Sequence, residues 1–188
     1  MNLCLDKGHF ITGENMKKLL IVVDFQNDFV TGSLGFDEAP QLENHIVHLI
    51  QTFQQNHDDI IYTMDTHQTN YLQTYEGLHL PIAHCIENTP GWQLYGKVKE
   101  LLSDCTCYKK ETFPSLEMAN DLKNKEYESV TLVGLVSHIC VLSNAIMVKS
   151  ALPDTPARVD LKGCASSDQI THQKSIDVMK SLQIEIIE

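Results

Sequence analysis

The stretch "KLLIVVDF", residues 18–25, is apolar at every position from Leu19 to Val23 and then meets an acid, Asp24. A strand with one wet face alternates apolar and polar residues. An unbroken apolar run this short reads instead as a strand covered on both faces, which is the habit of parallel sheets. The sequence on either side supports that reading. Leu42, Ile46, Leu49, Ile50 and Phe53 fall on one stripe of a helix. "DIIYTMD" (59–65) predicts a second strand, "VKELLSD" (98–104) a helix and "CTCYKK" (105–110) a third strand. A short helix is expected around 116–125, and "SVTLVG" (129–134) is a fourth strand. Residues 138–151 are apolar on nearly all sides, as in a buried central helix. "ARVDL" (157–161) predicts a weaker fifth strand. A helix over about 168–182 follows, opened by a capping box at Ser166 and Gln169, and "IEII" (184–187) is a sixth strand. Strands alternating with helices imply right-handed crossovers and a six-stranded, mostly parallel sheet covered on both faces. In such sheets the chemistry lies beyond the carboxyl ends of the strands.

The chain has 188 residues, 43% hydrophobic and 21% charged, which suits one globular domain with a full core. A net charge of −11 disfavours nucleic acid, which needs a basic stripe, and disfavours anionic membranes. No apolar run approaches the ~18 residues of a membrane span. Residues 1–16 are expected to be a flexible N-terminal extension without the marks of a signal peptide, ahead of a single domain over 17–188. Six cysteines, at 4, 85, 105, 107, 140 and 164, follow no framework spacing, so reduced thiols in a cytoplasm are expected. "CTC" (105–107) is read as strand alternation rather than a soft-metal grip.

Polar residues at the strand ends form the first candidate site. The first strand ends in Asp24, the second in Asp65, the third in Lys110, and the fourth leads into a turn ahead of Cys140. A cysteine attacks as its thiolate, and a helix N-terminus with a nearby cation lowers its pKa. Ser137 as N-cap would put Cys140 in the first turn; Lys110 would supply the cation and Asp24 would move the proton. A buried packing role remains the plain alternative for Cys140 alone. The second candidate lies in "DTHQTNYLQTYEGLHLPIAHC" (65–85). Asp65 and His67 share a side of an extended chain, and Glu76 and His84 join them if the loop folds back. Two imidazoles and two carboxylates suit zinc, manganese or iron. Loop histidines are also commonly just solvated, and His79 competes as a ligand. A signalling receiver domain also puts acids and a lysine at strand ends. It needs paired acids after the first strand and an acid after the third, where this chain has a lone Asp24 and two lysines.

Together "VDFQNDF", "DTH", "EG", "PIAHCIENTPG", "KKETFPS" and "GLVSHICV" resemble the isochorismatase-like cysteine hydrolases, in their nicotinamidase branch, from about Lys18 to Ile187. The resemblance implies a three-layer α/β/α, Rossmann-like fold. It implies a catalytic trio of Asp24, Lys110 and Cys140, with Phe113 three residues on selecting Lys110 over Lys109. It implies a cis peptide at Leu135–Val136, with the Val136 and Cys140 amides as oxyanion hole, and Phe29 and Phe113 as pocket walls. One divalent ion on Asp65, His67, Glu76 and His84, with zinc ahead of manganese or iron, would hold a ring nitrogen. The expected activity is hydrolysis of nicotinamide to nicotinic acid and ammonia through a thioester. Another small amide or carbamoyl compound is the alternative substrate, and a non-catalytic binding relative the remote one. A homodimer or homotetramer is implied as well. The chain departs from the family pattern at two places: His138 stands where an Asp is frequent, and Leu80 and Pro81 stand where an aromatic often walls the ring pocket.

Overall fold

A computed structural model describes residues 16–188, so the expected extension over residues 1–16 lies, but for Met16, outside the described residues. Six strands form one sheet: β1 (Leu19–Val23), β2 (Asp59–Asp65), β3 (Thr106–Lys110), β4 (Val130–Leu135), β5 (Ala157–Ala165) and β6 (Glu185–Ile187). Their order is β3-β2-β1-β4-β5-β6 and every pairing is parallel. The helices are α1 (Asn27–Val30), α2 (Glu43–Gln55), α3 (Tyr75–His79), α4 (Gly96–Leu101), α5 (Leu116–Leu122), α6 (Leu142–Ala151) and α7 (Gln169–Ser181). No helix among the described residues is long and apolar enough to cross a membrane.

The apolar run that opened the sequence reading explains the layering. All five residues of β1 are fully buried, and they divide by parity between two cores. Leu19, Ile21 and Val23 pack with Met118 of α5, Ala145 and Val148 of α6 and Met179 of α7. Leu20 and Val22 pack with Phe29 of α1, Ile46 and Ile50 of α2 and Val98 of α4. A strand flanked by two apolar layers has no wet face, so no polar residue interrupts it. The sheet order reverses at the β1–β4 pair, and Asp24 and Cys140 follow those two strands. That is the crevice in which open α/β sheets bind ligands.

Three boundaries differ from expectation. The fifth strand runs to Ala165, because a bulge between Leu132 and Gly134 lets Cys164 and Ala165 pair again with the end of β4. Gly163 hides that continuation, since glycine usually signals the end of a strand. The N-cap of α7 is Asp168, not Ser166: Asp168 Oδ1 accepts from the amides of Ile170 (2.9 Å) and Thr171 (3.1 Å). Ser137 is likewise not the cap of its turn. That position belongs to Val136, and the Ser137 hydroxyl lies 2.7 Å from His172 Nδ1.

Gly134 is required where β1 and β4 come together. Its φ is +124°, and a Cβ would sit 1.9 Å from the Val23 carbonyl oxygen. Only glycine allows the ends of β1 and β4 to approach so closely, and that approach brings their following residues together.

Candidate active site

Asp24 leaves β1 in the left-handed region (φ 46°), a conformation aspartate tolerates better than most side chains. The turn keeps its carboxylate fully buried. Thr63 Oγ1 donates to Asp24 Oδ1 at 2.7 Å, and Lys110 Nζ lies 2.7 Å from Oδ2. The ammonium thus compensates the charge on Oδ2 directly. Lys110 also lies 3.2 Å from Asp65 Oδ1 and 3.8 Å from Cys140 Sγ. Three strand ends and one turn therefore meet at a single buried ammonium. Side-chain parity in β3 decides which lysine this is. Lys110 and Tyr108 are buried, while Lys109 points outward to Glu87 (2.7 Å) and over the Trp92 ring.

Burial pushes the Asp24 carboxyl above the usual carboxylate range, and Lys110 opposes the shift. Burial works against the Lys110 ammonium too, but Asp24, Cys140 and Asp65 outweigh it and hold the lysine charged. The sequence argument expected Lys110 and the helix turn to lower the Cys140 thiol. The structure reverses that balance. Burial comes first and pushes the thiol well above its ordinary value, and the pull of Lys110 only moderates this. At rest the sulfur is a buried thiol beside a carboxylate, not a standing thiolate.

The turn that carries Cys140 begins with a cis peptide at Leu135–Val136 and continues as a wide π-type turn over Ser137–Val141. The Val136 carbonyl accepts from Ile139 and from Val141, each at 3.2 Å, and passes over the Cys140 amide between them. No backbone carbonyl among the described residues accepts from the Val136 amide.

The second candidate cluster assembles from the end of β2 and the folded-back loop. His67 Nε2 lies 3.0 Å from Asp65 Oδ2 and 3.7 Å from Glu76 Oε1. His84 Nε2 lies 3.3 Å from Asp65 Oδ2 and 3.8 Å from Glu76 Oε1. One ligand atom from each of the four residues lies within 4.8 Å of all the others. Donors around an ion at roughly 2.1 Å stand about 3.0–3.4 Å apart, so this group fits a divalent cation with little closure. The chemistry fits as well. His84 Nδ1 lies 2.8 Å from the Ile82 carbonyl and must donate to it, which fixes the ring with Nε2 toward the two carboxylates, the atom whose lone pair the neutral ring would offer an ion. The Asp65 and Glu76 carboxylates stand close enough that their repulsion helps push the Glu76 carboxyl up, after burial, and a bound cation would relieve it. His79 stays outside the group, exposed and held to the Tyr75 carbonyl.

Two positioning side chains escaped the sequence reading. Gln26, fully buried, accepts from the Asp65 amide (2.8 Å) and donates to the Asp65 carbonyl (2.9 Å). It thus clamps the backbone of one candidate ligand. Asp28 accepts from the Cys85 amide (2.7 Å), and the Cys85 carbonyl accepts from the His67 amide (2.9 Å), so one carboxylate ties down the residue next to His84 that also holds the backbone of His67. Gln26 and Asp28 were visible as polar letters inside "VDFQNDF", but their partners are 39 and 57 residues away.

Between the two clusters lies a cavity of about 200 Å³. Its walls include Phe29, Leu80, Phe113 and Ile139, with Val136 and Cys140 at one side and Asp65, Glu76 and His84 at another. The volume is below the ~300–1,000 Å³ of drug-sized sites and suits one small ring with a short substituent. Phe113, 42% exposed, stands at the mouth. Leu80 forms part of its wall.

Comparison with known proteins places this site in context. The family model of the isochorismatase domain matches residues 18–188. An isochorismatase family protein of Bacillus subtilis is 31% identical over 143 residues, covering 70% of this chain and 78% of that protein. The nicotinamidase of Saccharomyces cerevisiae is 25% identical over 215 residues, covering 91% and 99%. Among solved structures, a nicotinamidase/pyrazinamidase of Bacillus subtilis superposes with a TM-score of 0.82 at 26% identity, covering 92% of this chain and 100% of that one.

Proposed function

The chain belongs to the isochorismatase domain family, and from that premise we propose that it is a nicotinamidase, hydrolysing nicotinamide to nicotinic acid and ammonia. One observation carries the reading: Asp24, Lys110 and Cys140 meet within hydrogen-bonding or ion-pair reach beside a four-donor cluster, around a cavity sized for a single ring. Asp24 takes the Cys140 proton as the carboxamide arrives, and the sulfur attacks the carboxamide carbon. The amides of Val136 and Cys140 hold the oxyanion; among the described residues no backbone carbonyl accepts from the Val136 amide and the Val136 carbonyl does not accept from Cys140, which supports this role. Asp24 returns the proton to the departing nitrogen and ammonia leaves. Asp24 then deprotonates water, which opens the thioester to release nicotinic acid and the free thiol. Lys110 stays protonated throughout and balances the charge passing between carboxylate and sulfur. Phe29 and Phe113 wall the ring pocket.

Asp65, His67, Glu76 and His84 would hold one divalent ion, zinc by the mixed nitrogen and oxygen donor set, with manganese or iron as alternatives. Such an ion supplies a Lewis-acid contact for a ring nitrogen. A single hydrolase domain over 17–188 acting as a cytoplasmic homodimer or homotetramer completes the proposal. Unpaired thiols at Cys85, Cys105, Cys107, Cys140 and Cys164 support a reducing compartment. Leu80 on the pocket wall favours a second reading, hydrolysis of another small amide or a carbamoyl compound by the same trio.

Ammonia release by metal-analysed protein decides between them. Nicotinamide should give ammonia and nicotinic acid in equal amounts, with aliphatic amides and carbamoyl compounds near background. Turnover confined to the latter would replace the substrate. On nicotinamide, Lys110→Met should lose about 10²–10³-fold in kcat, the scale of removing one preorganised charge-stabilising donor. Lys109→Ala should change kcat less than about twofold. If Lys109 proves the sensitive lysine, the assignment of the cation is wrong.

A further inference from the structure

Phe113 stands on a loop that the sheet and the helices around it barely hold. The last backbone bond of β3 is at Lys110, whose carbonyl accepts from the Thr66 amide at 2.8 Å. α5 begins at Leu116 with Ser115 as its N-cap, and Ser115 Oγ accepts from the Met118 amide at 3.2 Å. Residues 111–114 run between these two fixed points. Among the described residues they make one hydrogen bond: the Phe113 carbonyl accepts from Asn144 Nδ2 at 3.1 Å. Phe113 is itself exposed, so packing restrains it little.

The same asparagine reaches two further groups. Its Oδ1 accepts from the Ser115 amide at 3.0 Å, and Nδ2 also donates to the Cys140 carbonyl at 2.8 Å. Asn144 is fully buried on α6, beside Ala145 and Val148 of the core. A buried amide is costly unless its polar atoms are matched. Here the nitrogen and the oxygen are both matched, and the pattern fixes the orientation, because two carbonyls need donors and one amide needs an acceptor. One rigidly held side chain therefore joins the backbone of the Phe113 loop to the backbone of Cys140, and both of those residues line the cavity.

We propose that Asn144 is a positioning residue that fixes the Phe113 wall relative to Cys140 and so sets how firmly the substrate ring is held before attack. This rests on the amide-hydrolase reading above and adds to it a residue that never touches the substrate. A wall that grips the ring equally in the bound state and the transition state acts on KM and leaves kcat alone.

Kinetics on nicotinamide with wild type, Asn144→Ala, Phe113→Ala and the double variant test this. Asn144→Ala should raise KM about tenfold and change kcat less than about threefold. In the Phe113→Ala background the same change should alter KM less than about twofold, because the wall through which Asn144 acts is gone. An asparagine with a merely structural role would act alike in both backgrounds. Asn144→Ser is too short to reach the loop but can donate to the Cys140 carbonyl, as serines do four residues back along a helix, and should raise KM as alanine does. Equal KM effects in the two backgrounds, or a wild-type KM in either Asn144 variant, overturn the proposal. A readout without turnover keeps the two readings apart. The chain has one tryptophan, so in Trp92→Phe protein the change Phe113→Trp supplies the only indole. Its nanosecond fluorescence anisotropy should fall when Asn144→Ala or Asn144→Ser is added, with far-UV circular dichroism unchanged. If no amide is hydrolysed, the amide-hydrolase reading falls and the anisotropy decides whether Asn144 holds the wall. Unchanged anisotropy overturns the proposal.

Discussion

Cys140→Ala should abolish ammonia release from nicotinamide, with a loss of at least about 10⁴-fold, because groups that act as one catalytic unit fail together when the nucleophile goes. The fold should survive the change. Cys140 sits at the rim of a buried layer, 5% exposed, and its sulfur carries no charge at rest. Losing one sulfur atom from such a site costs about 1 kcal/mol, the centre of the range for single substitutions. Bound metal and thermal midpoint should therefore stay near wild type while turnover disappears, a combination that unfolding cannot mimic. Alkylation gives a second readout. Iodoacetamide reacts with thiolate, which at Cys140 forms only by transfer of the proton to Asp24. Inactivation of the wild type should track modification of Cys140 and be blocked by bound substrate. Cys164, buried and pushed up to about 12, should stay unmodified over the same period. Appreciable turnover by the alanine variant would remove Cys140 from the mechanism.

Benzamide should be turned over about 10⁴-fold more slowly than nicotinamide, in kcat/KM. It has the same outline and the same scissile amide, and it lacks the one lone pair that a divalent ion on Asp65, His67, Glu76 and His84 would engage under the proposed function. Sites organised around a specific polar contact reject the analogue that lacks it by about 10⁴–10⁵-fold, because their own polar groups are left unmatched. Removing the metal with a chelator should cost nicotinamide turnover steeply, and readdition of one equivalent should restore it. Leu80 in the wall implies looser stacking of the ring, so KM is expected to be raised more than kcat is lowered. Equal rates on the two amides, or full activity in metal-free protein, would refute the ring-nitrogen contact. The chemistry at Asp24, Lys110 and Cys140 would remain open to test by Cys140→Ala.

The layered architecture was legible because its signal is local. A run such as Leu19–Val23 has no polar position at which to present a wet face, so it must lie between two helical layers. Strand-end chemistry was legible for a related reason. Where the strands end is written in the apolar pattern, and parallel strands share one carboxyl edge, so Asp24, Asp65 and Lys110 fall on that edge whatever the intervening helices do. The side of β3 on which each lysine lies follows from period-two alternation once its buried face is known. Element boundaries were less accessible. Ser137 and Ser166 look like caps in sequence, yet both hydroxyls turn to histidines 35 and 28 residues distant, and Val136 and Asp168 hold the cap positions.

The sequence alone determined which residue types arrive at the carboxyl edge of the sheet, because hydrophobic period and chain order are properties of the chain itself. Tertiary structure alone decided how those residues behave once there. It brought Glu76 and His84 back onto Asp65 and His67 through a clamp from Gln26 and a tether from Asp28, contacts whose register no local pattern encodes. It also reversed the expected state of the nucleophile. A cation and a helical turn near Cys140 argue for a thiolate as long as the sulfur is imagined in water. Burial strips away most of the water that would stabilise that charge, and this pushes the thiol up against the pull of Lys110 at 3.8 Å. Burial is a sum over every atom packed around a group, and those atoms come from all parts of the chain.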